Sequence, residues 1–317
     1  MAMNRSRSNL VGYTVKRLVL IIPVVIGVSI IVFVIMSVIP GDPVLIRIGL
    51  LPNTNQAQID QLRAELGLNQ PLYVQYLSYL NLLVHGNLGN DIMTGQPVVQ
   101  EIMETFPRTL FLALAGMFVA LAIGIPVGIY SAMKQNLLFD RLATIGSLTV
   151  ASIPNFWLAI ILILIFSFWL NLTPVFGSGE AKNLILPALS LGLILAGVIT
   201  RFTRSSMLEV IRQDFIRTAR SKGLKERTIL FRHALRNSLI PIITLLGLMF
   251  GELLSGAFFV EWVFAYPGIG RLAVLAIQQK NYPVLQATVL IVSISFVILN
   301  LLVDIIYRYI DPRVGFE

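Results

Sequence analysis

Leu18 to Ile39 contains no charged side chain. Five further stretches, about 110–133, 142–170, 184–200, 239–259 and 284–307, carry only Glu252 and Asp304 between them. Such runs constrain the fold more than any other feature. About 20 apolar residues in a helix cross a hydrocarbon core ~30 Å thick. In lipid each backbone N–H and C=O must find its partner inside the chain, which makes helix the default for such a run. Apolar residues are 56% of the chain and the mean hydropathy is +0.82; roughly 45–50% apolar is typical of soluble domains. The sequence therefore predicts an all-α polytopic protein of the cell membrane with six transmembrane helices.

Charge sets the expected sidedness. Residues 1–17 hold Arg5, Arg7, Lys16 and Arg17 and no acid. Lys and Arg gather on the cytoplasmic side of spans. The run at 18–39 is longer than a usual signal-peptide core, and no small-x-small site precedes Pro40–Pro43, so it reads as a retained first span with its N-terminus inside. Residues 40–109 have Arg47, Arg63 and Arg108 against Asp42, Asp60, Glu65, Asp91, Glu101 and Glu104, a balance suited to the outer side. Two amphipathic helices are expected there. Gln56 to Leu66 aligns Ile59, Leu62 and Leu66, and Leu72 to Val84 aligns Leu72, Tyr76, Leu80 and Leu83. They form either a cap packed on the spans or a contact surface for a soluble receptor. The remaining core, 110–317, then alternates. Lys134 and Arg141 fall inside, 171–183 outside, 201–238 inside, and 261–283 outside with boundary aromatics Trp262, Phe264, Tyr266 and Tyr282. Arg308 and Arg313 end the chain inside. This distribution explains the net charge of +8 by basic cytoplasmic loops, with no need for nucleic acid.

Small residues recur every fourth position at Gly116, Ala120, Gly124 and Gly128, at Gly192 and Ala196, and at Gly247, Gly251 and Ser255. These stripes let another helix approach closely. Pro126 is expected to bend its span and Pro154 to kink or divide the next. Glu252, beside the last stripe, is either a pathway-lining carboxylate or a structural hydrogen bond to a neighbouring helix. Asp304, near the inner end of the sixth span, reads as structural. His85 and His233 fall on opposite sides, and there is no cysteine, so neither a metal site nor a disulfide is expected. No G-x-x-x-x-G-K-[ST] loop and no catalytic constellation occurs; Glu101 and Glu104 read as a solvated helix face. No catalytic site and no cofactor are expected in this chain.

The polar stretch 201–238 remains. Arg201, Arg204, Arg212, Arg217, Arg220, Lys222, Lys225, Arg227, Arg232 and Arg236 are opposed by Glu209, Asp214 and Glu226. One reading is an anchor that merely fixes orientation. The other is a docking element. Gly223 permits a sharp turn between two helices, and Ile229, Leu230, Phe231, Ala234 and Leu235 offer apolar positions for a helix laid in a partner's groove.

RTARSKGLKERTILFRHALRN (Arg217 to Asn237) resembles the cytoplasmic loop of ABC-transporter permease subunits. It is most similar to the first permease subunit of the dipeptide/oligopeptide/nickel import group. PGDP (Pro40 to Pro43), LGLNQPLYVQYL (Leu66 to Leu77), SIPNFW (Ser152 to Trp157) and LPALSLG (Leu186 to Gly192) fit the same group. So do VEWVFAYPGIG (Val260 to Gly270), NYPVLQA (Asn281 to Ala287), NLLVD (Asn300 to Asp304) and DPR (Asp311 to Arg313). With Gly223 as anchor, Arg217, Thr218 and Ala219 stand where the general importer loop has Glu-Ala-Ala. The resemblance implies the type I importer fold with both termini cytoplasmic. It implies a second permease subunit, two ATP-binding subunits that hold ATP and Mg, and an extracytoplasmic solute-binding protein. It places Ala219, Gly223, Leu224, Arg227, Phe231 and Leu235 in the coupling element, and Gly247, Gly251, Glu252 and Ser255 in the pathway or its helix packing. The expected function is passage of dipeptides or oligopeptides, with nickel or a metal chelate, glutathione or another small solute as alternatives. A self-sufficient channel or ion-coupled carrier would instead call for more buried charge, or for inverted repeats with broken midplane helices.

Overall fold

A computed structural model describes residues 19–38, 44–45, 56–65, 67–174 and 182–310. The basic N-terminal segment, PGDP, Leu66, Glu180 and DPR lie outside the described residues. The only β pairing among those described is an isolated bridge between Asn90 and Pro97. Four helices are long and apolar enough to cross a membrane, and six spans result if each of two bent pairs counts as one. The chain divides into two compact units.

The first unit holds the described residues up to Arg108 and Pro267–Ile298. Its first span is α1 (Ile21–Val38). Helix α2 (Gln56–Glu65) has no fully buried residue, and Ile59 and Leu62 of its expected apolar face are half-buried. Helix α3 (Leu72–Val84) starts at Pro71, whose missing N–H costs nothing at a helix start. Tyr76, Leu80 and Leu83 on its expected face are half-buried, while Leu72 is exposed. The Tyr76 hydroxyl lies 3.0 Å from Ser29 Oγ, and its ring is 5.3 Å from that of Phe33, so α3 packs on α1.

The second unit holds Thr109–Tyr266 and the chain from Leu299. Helix α4 (Val98–Met133) contributes to both. It begins twelve residues before the expected span at 110, because its first turns are amphipathic rather than apolar, and it continues through Pro126. Helix α5 (Leu138–Ala151) and the run from α6 (Asn155–Leu162) through a π-helical turn at Ile163–Trp169 meet at 106°. Pro154 caps α6 at φ −60°, a helix start where its missing N–H is not needed. The third span is thus sharply broken.

Helix α7 (Lys182–Ile211) runs well past the expected end at Thr200. Arg201 to Ile211 are therefore its last three turns, not loop. Helix α8 (Asp214–Ser221) follows, then a turn of helix at Glu226–Thr228, a π-helical turn at Ile229–Ala234, and α9 (Leu235–Val263). The axis bends by 43° between Glu226–Leu239 and Pro241–Leu254, at a proline, the commonest place for a helix kink. Helices α10 (Ile269–Gln278) and α11 (Tyr282–Ile310) complete the described residues.

The core of the second unit is the α4–α7 contact, with α6 and α9 packed around it. The glycine stripes make that contact. A Cβ on Gly124 would stand 2.8 Å from Ile199 Cβ, one on Gly128 2.6 Å from Thr203 Cβ, and one on Gly192 2.6 Å from the carbonyl oxygen of Gly116. The backbones meet because these side chains are absent.

Candidate coupling site

The polar stretch folds into a helix–turn–helix. Asp214 opens α8, where a carboxylate favours the positive helix end. Gly223 ends it at φ +75°, with its N–H donating to Arg220 O at 2.9 Å. The N–H of Leu224 reaches back to Ala219 O at 3.3 Å. This left-handed C-terminal cap suits glycine and reverses the chain. Arg220 spans the turn to Glu226, Nε to Oε1 at 2.7 Å and Nη2 to Oε2 at 3.4 Å. Both groups are well exposed, so the pair orders the turn more than it stabilises the fold.

The element has an inside and an outside. Ile216, Ala219, Ile229, Leu230 and Ala234 pack on Ile129 and Ala132 of α4 and on Met207 and Val210 of α7. Ile229, Leu230 and Ala234 are thus spent on the chain's own core and are not offered to a partner groove; Ala219 likewise faces inward. Leu235 is half-buried at the edge of the same cluster. Leu224, in the turn, and Arg227 and Phe231, four apart in the helical segment that follows, remain outside. Phe231 is 50% exposed and Leu224 41%. Phe215 on α8, 41% exposed, adds an apolar group that sequence reading passed over; its signal was an aromatic one residue from the helix start in a basic segment.

Beneath the element lies a buried ion pair. Asp140, 2% exposed in the first turn of α5, accepts from Arg204 Nε at 2.5 Å and Nη2 at 2.8 Å. It also accepts from the Ser131 hydroxyl and from the Asn136 amide at 2.8 Å. Arg204 was read only as part of a basic loop.

The other expected residues lie on α9. A Cβ on Gly247 would fall 1.9 Å from Val303 Cγ1 of α11, so this glycine sits at a helix crossing. Gly251 is buried and Glu252 is exposed. The side chains of Ser255 and Asp304 lie outside the described set.

In the first unit, Asp91 ties two distant segments. Its Oδ1 accepts from Met93 N and Asn281 Nδ2, both at 2.5 Å, and from Thr94 N at 3.2 Å, while Ile92 N donates to Asn281 Oδ1 at 3.3 Å. Burial pushes the Asp91 carboxyl up, but hydrogen bonds from Glu101, Met93, Thr94 and Asn281 outweigh it and hold it below the usual carboxylate range. Glu101 lies in the first turn of α4, ahead of the apolar stretch. Burial first, then its bond to Asp91 and the charges of Asp91 and Glu104, push it up to about 7.

Glu101 thus departs from the expected solvated pair: it is half-buried and pushed toward its protonated form beside Asp91, while Glu104 is exposed. Folded Glu101 holds its proton more tightly than the unfolded chain does. Its contribution is full at low pH and drains away as pH rises from the ordinary glutamate range through about 7. Asp91 works the other way and loses its contribution only in acid. The melting temperature of the purified protein is therefore expected to fall from pH 5 to pH 8. Glu101→Gln, neutral throughout, flattens that profile; an equally steep decline in the variant refutes the raised Glu101 pKa.

Residues 124–316 match the family described as binding-protein-dependent transport system inner membrane component, and residues 10–113 match its N-terminal companion. The chain is 39% identical over 308 residues to the glutathione transport system permease protein GsiC of Escherichia coli K12. It is 40% identical over 335 residues to the dipeptide transport system permease protein DppB of Alkalihalophilus pseudofirmus. Each alignment covers 97% of this chain and all of the relative. Inward-facing structures of the MetNI methionine ABC transporter share the fold at TM-scores of 0.59 and 0.57, with 19% and 18% identity, over 67% of this chain and 97% and 96% of theirs. Apolar helices packed through glycine stripes and matches over nearly the whole length lead to one assignment: the chain belongs to the family of binding-protein-dependent transport system inner membrane components.

Proposed function

We propose that this chain is a permease subunit of an ATP-driven importer and forms half of a translocation pathway for peptides handed over by an extracytoplasmic binding protein. The observation that carries this reading is the two-sided build of the 214–235 element. Its inner face is fused to the ends of α4 and α7, and its outer face offers Leu224, Arg227 and Phe231. Such an element suits docking to a soluble motor subunit, with ATP-dependent closure biasing the spans between two states. Two ATPase subunits, holding ATP and Mg, would sit on the cytoplasmic side with both termini of this chain. A second permease subunit would complete the pathway. Glu252, exposed on α9, would then face that subunit or the pathway. Relatives named for dipeptide and for glutathione transport support a peptide cargo, since glutathione is itself a short peptide.

The test is reconstitution in liposomes with the second permease subunit, the ATPases and the binding protein. Dipeptide uptake is expected only with internal access to ATP and with the binding protein present. Uptake by this chain alone, without ATPases, refutes the reading. Competition by glutathione or nickel assigns the cargo. Glu252→Gln is expected to alter uptake rate or cargo range; unchanged values for both place Glu252 outside the pathway.

A further inference from the structure

Three helices meet at one buried carboxylate directly under the coupling element. Asp140 belongs to α5, Ser131 to α4 and Arg204 to α7, and the Asn136 amide comes from the α4–α5 turn. The carboxylate is almost fully removed from solvent, while the Arg204 side chain is 26% exposed. Burying such a pair costs desolvation that good geometry only offsets, so it is weak evidence for stability. What a bidentate guanidinium–carboxylate pair supplies is a fixed relative placement of the groups it joins.

That placement bears on the proposed coupling. Ala132 follows Ser131 in the chain, and Met207 lies one helical turn beyond Arg204. Both belong to the buried cluster that seats Ile216, Ile229 and Ala234. The Ser238 hydroxyl donates to Met207 Sδ at 3.1 Å, which ties the start of α9 to the same point. Hence the coupling element rests on the helix ends that the ion pair joins. Helix α5, by contrast, adds no residue to that cluster. Its attachment at this end includes Asp140.

We infer that Asp140, Arg204 and Ser131 form a positioning clamp that makes the ends of α4, α5 and α7 move as one block, so that displacement of the coupling element reaches the broken third span. This rests on the reading of the 214–235 element as the ATPase-docking site. Without the clamp, the element still docks, but its motion is taken up by slippage of α5 against α4 and α7.

The experiment uses the assembled complex with its ATPases and binding protein, and measures four quantities: ATPase co-purification, melting temperature, ATP hydrolysis and peptide uptake. The paired neutral variant Asp140→Asn with Arg204→Gln leaves no lone buried charge. It is expected to assemble and to hydrolyse ATP normally, while uptake per ATP falls about tenfold, within the roughly 5–150-fold span of inter-site coupling. Arg204→Lys keeps the charge but not the two-pronged geometry, and an intermediate ratio is expected. If the paired variant does not assemble, Arg204→Lys carries the measurement. Uptake that falls only in proportion to complex abundance, with an unchanged ratio in whichever variant assembles, overturns the clamp. Phe231→Asp separates the two ideas: normal uptake with ATPases still bound to that variant refutes the docking reading, whatever the clamp variants do.

Discussion

Phe231→Asp is expected to abolish ATP-driven uptake while the chain stays in the membrane in normal amount. The side chain is half exposed, and its neighbours Ile229, Leu230 and Ala234 hold the helix to the core without it. Removing it therefore leaves the internal packing intact. At a docking surface the effect is large. Truncating an aromatic anchor at an interface costs roughly 2–4 kcal/mol, about 30- to 1,000-fold in affinity. An Asp in the same apolar groove adds the desolvation of an unpaired carboxylate. Phe231→Leu, which keeps an apolar contact, should lose much less. Gly223→Pro should match the Asp variant by another route. The cap needs φ near +75° and an N–H bonded to Arg220 O, and proline supplies neither. Normal uptake together with ATPase co-purification in Phe231→Asp defeats the assignment of Phe231 to the docking face.

Much of this architecture was legible because local signals were strong. Spans could be read from apolar runs, the stripe Gly116–Gly124–Gly128 from its period, the break from Pro154, and the cap from a lone glycine between helical segments. What was missed depends on groups far apart in the chain. The pairing of Asp140 with Arg204 joins positions 64 residues apart, and nothing in either segment points to the other. It also explains why α7 outruns the apolar stretch: Arg204 is matched at the helix end and need not retreat into a loop. The docking positions show the same limit. Ile229, Leu230, Phe231 and Ala234 look alike as apolar residues in a basic segment. Only the packing on Ile129 and Met207 shows that three face inward and one faces out. The size of the bend at Pro154, 106°, likewise follows from where α6 packs and not from the proline alone.

Adding one methyl group at Gly192 is expected to destabilise the protein by about 1–3 kcal/mol, the usual range for overpacking a tight contact. The new Cβ would meet the Gly116 carbonyl oxygen and Val119 Cβ, both at 2.6 Å. The obstacle is partly backbone, so trimming Val119 to Ala in the same chain should not restore stability. Gly247 makes the opposite case. The three atoms nearest its Cβ would all belong to Val303, Cγ1 at 1.9 Å, Cγ2 at 2.8 Å and Cβ at 2.9 Å. Gly247→Ala should therefore be destabilising alone and partly rescued by Val303→Ala, which removes the two nearest atoms and leaves Cβ. Gly146 on α5 serves as the control, since a Cβ there meets nothing within 4 Å. At an open helical position Ala is favoured over Gly by about 0.5–1 kcal/mol, so Gly146→Ala should raise the melting temperature. Thermal unfolding of the purified variants in detergent gives all three signs. Equal loss at Gly192 and Gly146 would mean that glycine acts here through backbone flexibility. Opposite signs, with rescue at Gly247 alone, would mean that it acts by close approach, of backbones at the α4–α7 contact and of α9 to a side chain of α11.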